Sequence, residues 1–328
     1  MSVPARPLTV FPVALRELAV ARIVEVTAGM RRVTLTGDQL GAFTSADGTR
    51  WPAFRSPGFD DDVRLLFPYP GESEPVLPVI EDGRVTFAEG RRPIARAYTV
   101  RRHDPHGREL DVDVVLHGEG VASNWARTAA PGDRMHIAGP GRTRGLPVGT
   151  DRLLVAGDDT AIPAIARLLE ELPDDARGRV LIDVEHAAHA LDLRGPAGVE
   201  VTWLPRASAP PRPGALLAAV RATTWTDGAW FAWLAGEQSE VQRIRRHLVH
   251  ERRMPASAID FTGSGSAGPP APTGPDVPHR EPLPSPRPLR ALPHRSPGAP
   301  RPALPCPALS CPVLFRPSPS REAQERHS

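Results

Sequence analysis

The chain carries, at residues 96–101, the stretch Arg96-Ala97-Tyr98-Thr99-Val100-Arg101. On a strand, residues two apart share one face, so Arg96 and Tyr98 point together and Thr99 points to the other side. A guanidinium fork suits a pyrophosphate, an aromatic ring can lie on a planar cofactor, and a threonine hydroxyl can reach a ring nitrogen. Taken alone, the stretch is explained better by an exposed arginine and tyrosine on an ordinary strand.

Short segments of alternating hydrophobicity surround this stretch up to about residue 147. They predict strands at 21–26, 32–36, 63–67, 76–80, 84–87, 97–102, 110–117 and 134–138. Turn residues between them include Asp82-Gly83, a strong hairpin signal. One short helix is predicted at 122–129. This pattern predicts a small closed antiparallel β-barrel.

After residue 150, strands alternate with amphipathic helices. Strands are predicted at 152–156, 180–184, 199–204, 230–234 and 258–261, and helices at 162–172, 213–222 and 239–252. Apolar strands separated by such helices predict a parallel sheet covered on both faces. Ligands bind beyond the carboxyl ends of the strands in sheets of this kind.

The composition changes at residue 264. Residues 264–328 contain 18 prolines and 4 glycines in 65 residues, so about a third of the segment is proline or glycine, and we predict a disordered tail there. We therefore divide the chain into an N-terminal extension (1–18), a barrel domain (19–147), an α/β domain (148–263) and the tail.

Charge and cysteine content exclude several classes of protein. Residues 1–263 hold 32 arginines against 34 acidic residues and no cysteine, and the chain has no lysine. We expect no nucleic-acid partner, no disulfide and no thiolate-bound metal in that part. No run of 18 apolar residues and no secretion signal occur, so we expect a cytoplasmic protein without a membrane partner. We also expect a monomer.

A second candidate stretch runs from His117 to Ala126. Gly120 lets a ligand approach the backbone, the next helix offers free amides to a phosphate, and Ser123 could add a hydroxyl. Ordinary helix entry, with Trp125 in the core, is the alternative.

Two further stretches lie at strand ends of the predicted sheet. Leu153 to Pro163 is a strand, a turn and a helix start, where Asp159 or Thr160 could cap the helix. It lacks the Gly-x-Gly-x-x-Gly fingerprint of dinucleotide-binding domains. Gly236 would leave room for a ligand and Glu237 could accept from hydroxyls or an amide, although a helix cap explains Glu237 equally well.

In this order and spacing the four stretches resemble the siderophore-interacting proteins, flavin-dependent ferric-siderophore reductases related to ferredoxin–NADP reductases. The resemblance extends over residues 19–263 and includes Ser56-Pro57-Gly58-Phe59-Asp60 and Gly139-Pro140-Gly141. It implies a barrel that binds FAD and an α/β domain that binds NAD(P)H.

The resemblance also implies roles for particular residues. It assigns cofactor contacts to Arg96, Tyr98, Thr99, Val100, His117, Gly120, Ala122, Ser123, Asp159, Thr160, Gly236 and Glu237. Of these, Thr99 and Thr160 are the candidate catalytic residues, and Asp159 and Thr160 are expected at the junction of flavin and nicotinamide. It suggests, in addition, that basic side chains gather an anionic ferric siderophore, for which Arg243, Arg245 and Arg246 are candidates; a solvated helix face is the alternative.

The expected activity is transfer of a hydride from NAD(P)H to FAD, then of single electrons to siderophore-bound Fe(III). Reduced ferredoxin is a donor for some relatives. Family members usually continue past Gly263 with Tyr-Trp-Arg and a glycine, whereas Ser264-Gly265-Ser266 follow here. Two alternatives therefore remain: a flavoenzyme with another electron acceptor, and a protein that only binds FAD or siderophore. The His-x-x-His pairs predict no metal site, since no further ligand completes one.

Overall fold

The computed structural model describes residues 6–81, 84–87, 91–146, 149–207 and 214–264. The predicted disordered tail begins with Ser264, which ends a strand, and its remaining residues lie outside that range. No helix among the described residues is long and apolar enough to cross a bilayer.

The first half of the chain forms strands, as the alternation predicted. They are β1 (Leu8–Val10), β2 (Leu15–Thr27), β3 (Met30–Thr36), β4 (Phe43–Thr44), β5 (Arg50–Trp51), β6 (Asp62–Phe67), β7 (Val79–Glu81), β8 (Arg84–Thr86), β9 (Ile94–Asp104), β10 (Glu109–Val115), β11 (Arg134–Ala138) and β12 (Arg142–Arg144). One helix, α1 (Val121–Thr128), lies between β10 and β11.

Six of these strands close into an antiparallel barrel in the order β10-β3-β2-β11-β6-β9, which confirms the predicted barrel. Its core is filled by the inward residues of each strand, such as Val33, Leu65, Val112 and Ile137, all fully buried. Closure pairs every strand on both sides, so no edge of this sheet is left open.

The residues predicted as an N-terminal extension contribute to this structure. Strand β1 pairs with β12, and β2 begins at Leu15 within the barrel. Three-residue strands such as β1 are too short to show a period in the sequence, because alternation needs four or more residues.

The second half forms a parallel sheet with helices between its strands. Its elements are β13 (Arg152–Asp158), α2 (Ile162–Glu171), β14 (Gly178–Val184), β15 (Val199–Pro205), α3 (Ala215–Arg221), β16 (Trp230–Glu237), α4 (Gln238–His250) and β17 (Ile259–Ser264). The strand order is β15-β14-β13-β16-β17. The order therefore reverses between β13 and β16, and their carboxyl ends frame the crevice where such sheets bind ligands.

Helix α2 joins the two halves through Arg167, which is only 8% exposed. Its guanidinium donates to the carbonyl of Val100 on β9 at 2.9 Å and to the carbonyl of Ser56 at 2.6 Å. Asp61 of the neighbouring strand segment lies opposite Val100, but its amide donates to the carbonyl of Gly58 instead of to Val100. Arg167 therefore supplies the donor for the Val100 carbonyl at the end of the barrel ladder.

A second junction is built around Arg6, whose side chain is 1% exposed. It donates to both carboxylate oxygens of Asp60, at 2.5 and 2.6 Å, and to Asp260 of β17 at 2.9 Å. The indole of Trp233 donates to the same Asp60 at 3.0 Å, and Phe59 packs edge-on against that indole. The N-terminal segment thus ties a barrel loop to the sheet.

Candidate active site

Strand β9 places Arg96 and Tyr98 on one face, as predicted. Their cross-strand partners on β6 are Leu65 and Val63, both fully buried. Tyr98 packs half-buried against the barrel core, and burial raises the pKa of its phenol to about 12. Arg96 is exposed, and its guanidinium donates to the carbonyl of Ala95 at 2.9 Å. A half-buried ring therefore lies beside an exposed cation.

Thr99 lies on the opposite face of β9, across from Asp62 of β6. The amide of Val100 donates to the carbonyl of Asp61 at 2.8 Å, so that pair is hydrogen-bonded. In an antiparallel ladder the next pair, Asp62 and Thr99, is then of the non-hydrogen-bonded kind, in which side chains lie closest. The threonine hydroxyl thus has a carboxylate as its cross-strand neighbour.

The entry to α1 is open, as a phosphate-binding position requires. A Cβ atom built at Gly118 or Gly120 meets nothing within 4 Å, so a ligand can approach the backbone there. The first intrahelical bond runs from the amide of Asn124 to the carbonyl of Gly120 at 2.9 Å. The amides of residues 121–123 consequently have no partner within the helix.

Ser123 is placed differently from the expectation that its hydroxyl serves a phosphate. The residue is 3% exposed, and the hydroxyl lies 3.0 Å from the carbonyl of His117 and 3.2 Å from that of Val115. It therefore fixes the loop before α1, while its backbone amide remains at the helix entry. Ala122 lies on the buried side of α1, and the side chain of His117 is exposed.

Helix α1 is held on the barrel by Trp125, which packs edge-on against Phe67 with ring centroids 5.8 Å apart. The guanidinium of Arg31 donates to the carbonyls of Ala126 and Arg127 at 2.8 and 2.9 Å. A cation at this helix end stabilises the carbonyls that have no intrahelical partner.

At the carboxyl edge of the sheet, Asp158 connects β13 to β16. One carboxylate oxygen accepts from the amide of Thr160 at 2.9 Å and from its hydroxyl at 2.6 Å. The other oxygen accepts from the amide of Glu237 at 2.9 Å. Gly236 has φ +145°, and a Cβ there would lie 2.6 Å from the Asp158 carboxylate. The glycine therefore leaves room for this carboxylate. Asp158, rather than Asp159 or Thr160, caps the short 3-10 turn Asp159–Ala161 that leads into α2, and α2 itself has no side-chain cap.

Asp159 turns away from that crevice, towards β14 and β15. Its carboxylate accepts from the amide of Glu185 at 3.1 Å and from Arg206 at 2.7 Å, and lies 3.2 Å from Nδ1 of His189. Arg206 also lies 3.4 Å from Asp183. Burial raises the pKa of Asp183 to about 6, although Arg206 opposes the shift.

Glu237 caps helix α4, the alternative considered from the sequence. Its carboxylate accepts from the amides of Ser239 and Glu240 at 3.0 and 3.1 Å and from the Ser239 hydroxyl at 2.6 Å. These bonds hold the pKa of Glu237 below its usual range. The carboxylate is thus engaged within the protein at the end of β16.

The three candidate arginines of α4 have different surroundings. Arg243 pairs with Glu240 one turn earlier, whereas Arg245 lies over the ring of Phe261 with 5.1 Å between guanidinium carbon and ring centroid. Arg246 is exposed. Arg243 and Arg246 share a helix face because they are three residues apart, and Arg245 faces β17.

Sequence patterns did not identify three of the residues that organise this region. Each of them, Asp158, Arg167 and Arg6, bonds to a group at least 79 residues away in at least one contact. Only Asp158 had a local signal, since an acid two residues before Thr160 is a helix-cap pattern. The partners of Arg167 and Arg6 are set by tertiary packing.

The residues present fit a flavin dinucleotide. Arg96 and the free amides of α1 can receive phosphates, the ring of Tyr98 offers a flat apolar surface, and Gly118 and Gly120 leave space at the backbone. Among the described residues no group of three His, Cys, Asp or Glu side chains could hold a metal ion.

Comparison with known proteins identifies both halves. Residues 19–144 match the model of the siderophore-interacting FAD-binding domain, and residues 150–263 match that of the siderophore-interacting protein. The chain is 32% identical to the ferric vibriobactin reductase ViuB of Vibrio cholerae over 237 residues, which are 71% of this chain and 83% of that protein.

Two further relatives agree with this match. The NADPH-dependent ferric-chelate reductase of Escherichia coli is 32% identical over 243 residues, covering 73% of this chain and 89% of its own length. The crystal structure of a siderophore utilization protein from T. fusca superposes with a TM-score of 0.72 at 36% identity, covering 81% of this chain and 97% of that one. The resemblance found in the sequence is confirmed: this chain belongs to the siderophore-interacting protein family, with an FAD-binding barrel and a parallel-sheet domain.

Proposed function

We propose that the protein is an FAD-dependent oxidoreductase that uses NAD(P)H to reduce siderophore-bound Fe(III) to Fe(II). The observation that carries this proposal is the junction of α2 with β9. Arg167 of α2 bonds to the carbonyl of Val100, directly after Tyr98 and Thr99, and α2 begins beside Thr160. The strand expected to hold the flavin therefore adjoins the sheet domain expected to hold the nicotinamide.

The barrel's part is to bind and orient the flavin. Arg96 and the amides at the start of α1 hold the pyrophosphate, Tyr98 supports the ring, and Thr99 presents its hydroxyl to a ring nitrogen. His117 and Val100 contribute backbone contacts beside these groups. FAD supplies a ring that accepts a hydride and releases electrons one at a time.

The sheet domain's part is to bring the nicotinamide to that ring. Gly236 and Thr160 border the crevice between β13 and β16, and Asp158 holds both strand ends in fixed positions. A rigid crevice favours transfer because a hydride moves only between atoms in close contact. Thr160 is the proposed contact at the junction, whereas Asp159 acts by fixing Arg206 and His189.

The ferric siderophore is the substrate and needs to approach only the exposed flavin edge. Arg246, the exposed arginine of α4, is the foremost candidate for attracting its negative charge, with Arg243 and Arg245 as the other candidates. We place the reaction in the cytoplasm, with the protein as a monomer. NAD(P)H is the proposed donor, and reduced ferredoxin remains the alternative donor.

The test is an anaerobic assay of the FAD-loaded protein. Ferric siderophore is added with NADPH or NADH, and Fe(II) is trapped by a coloured chelator. Fe(II) formation that depends on both reagents and falls in Arg96→Ala supports the proposal. Arg22→Ala, another exposed barrel arginine, is the matched control because it pairs with Glu109 instead. If the protein rapidly reduces a quinone but does not reduce a ferric siderophore, the proposed acceptor is wrong and a quinone takes its place.

A further inference from the structure

Three successive acids, Asp60, Asp61 and Asp62, precede the core of strand β6. The first is engaged by Arg6 and the indole of Trp233, at 2.5 and 3.0 Å. The second is 3% exposed and accepts from the amide of Gly58 at 2.9 Å. Both therefore serve the architecture of the domain junction.

Asp62 is different from its two neighbours. Its side chain is 48% exposed, and it forms an ion pair with Arg64, whose Nε lies 3.7 Å away, beyond hydrogen-bond distance. The ladder places Asp62 opposite Thr99 on the same face of the barrel. A carboxylate without a strong partner is thus set beside the hydroxyl assigned to the flavin.

We propose that Asp62 is an ionisable residue that tunes the reduction potential of the flavin: its carboxylate, beside Thr99, disfavours the negative charge of the reduced ring. This inference rests on the proposed function. Like charges in a partly desolvated site oppose each other more than in water. An ionised Asp62 should therefore make the bound flavin a stronger reductant, which suits a ferric ion held tightly by its chelator.

The surroundings of Asp62 make its carboxyl easier to protonate than that of an ordinary aspartate. Partial burial raises the pKa of its carboxyl and Asp60 adds to the shift, whereas Arg64 and Arg142 oppose it. The adjacent strand β9 faces it with the uncharged Thr99. A ring nitrogen held by the Thr99 hydroxyl would bring the edge of the ring near this carboxylate, and the negative charge of the reduced ring would raise the pKa of Asp62 further.

The consequence is a proton taken up on reduction and released on reoxidation. NAD(P)H would deliver its hydride to the flavin, and Asp62 would take one proton from water. Departure of two electrons to two ferric ions would then release to water both that proton and the one carried in the hydride. When one additional proton is taken up with the two electrons, the midpoint potential falls by about 30 mV more for each unit of pH. The potential falls more steeply with pH only over one range. That range lies between the pKa of Asp62 with the flavin oxidised and its higher pKa with the flavin reduced.

The measurement is the midpoint potential of the FAD-loaded protein from pH 5 to 9, by equilibration with reference dyes. We expect the potential of Asp62→Asn to converge with that of the natural protein at low pH. It should lie above the natural value at high pH, because the amide carries no charge. Asp62→Glu should restore the steeper slope. The control is Asp38→Asn, which removes a 94% exposed acid elsewhere on the barrel and should change nothing.

Parallel curves for Asp62→Asn and the natural protein, whether offset or superposed, would overturn the inference. If Asp62→Asn loses FAD, Asp62→Ser provides the same comparison with a smaller side chain. Failure of the proposed function looks different: the natural protein would then bind no FAD, or its bound FAD would not be reduced by either nicotinamide.

Discussion

Replacement of Arg167 by methionine tests the junction on which the proposed function depends. Methionine keeps much of the buried aliphatic volume but removes all donors. The bonds lost are those to the carbonyls of Val100 and Ser56, at 2.9 and 2.6 Å, to the Ser56 hydroxyl at 3.0 Å and to Glu171 at 2.6 Å. Since Arg167 is 8% exposed and its bond to the Val100 carbonyl is buried, water reaches that carbonyl poorly.

The expected magnitude follows from that burial. Hydrogen bonds from a charged donor contribute about 1.5–3 kcal/mol, and a buried carbonyl left without a donor costs about 1–3 kcal/mol. These terms overlap, so we expect Arg167→Met to lower the free energy of unfolding by about 3 kcal/mol. For a protein of this size the melting temperature should fall by about 6–12 °C.

The assay is thermal and urea unfolding followed by tryptophan fluorescence. Arg179→Met is the matched control, because Arg179 forms a partly exposed pair with Glu200 at 3.1 Å and should shift stability by less than about 1 kcal/mol. Arg167→Met should also slow the reduction of the flavin by NAD(P)H, because Val100, which Arg167 holds, adjoins Thr99. A melting temperature within about 2 °C of the natural protein, with unchanged flavin reduction, would refute this role of Arg167.

Three further outcomes are expected. Arg96→Ala should weaken FAD binding by about 1.5–3 kcal/mol, measured by fluorescence titration, whereas Arg22→Ala should leave it unchanged. Asp183 has a folded-state pKa raised to about 6, so its ionisation destabilises the fold as pH rises from about 4 to 6 and the loss persists above that range. Asp183→Asn should therefore be neutral at pH 4 and more stable than the natural protein at pH 8, by about 1 kcal/mol after allowance for the lost contact with Arg206; equal stability at both pH values would contradict the shift. Arg246→Glu should slow reduction of an anionic ferric siderophore at low salt and leave the NAD(P)H half-reaction unchanged; slowing that is equal at all salt concentrations would argue against steering.

Sequence patterns predicted most of the fold because its two halves follow simple periods. Apolar residues at every second position, such as Val63 and Leu65, identified barrel strands, and apolar runs such as Leu153–Ala156 identified the parallel sheet. Helix α3 begins at Ala215 after Gly214, and the predicted start at Pro213 lies outside the described residues. Of the short ribbons, β7–β8 was predicted, whereas β1–β12 and β4–β5 were missed, since strands of two or three residues show no alternation.

The candidate site could be predicted only in part. Strand β9 and the entry of α1 have local patterns, so the sequence alone names Arg96, Tyr98 and Gly120 as candidate residues. The capping residue was misplaced by one position, because either Asp158 or Asp159 satisfies the sequence pattern and only the turn decides which carboxylate faces Thr160. The role of Asp62 depends on ladder register, which no single segment encodes.

The proposed function is tested most directly by two steps on one anaerobic sample of FAD-loaded protein. One equivalent of NADPH or NADH per flavin is added first, and the visible flavin absorbance is followed until it stops changing. A ferric siderophore is then added in the presence of an Fe(II) chelator. We expect bleaching by the nicotinamide, then return of the oxidised flavin spectrum with two Fe(II) formed per flavin. A flavin that remains oxidised with either nicotinamide, or that is bleached but stays so after the ferric siderophore is added, would contradict the proposed reductase.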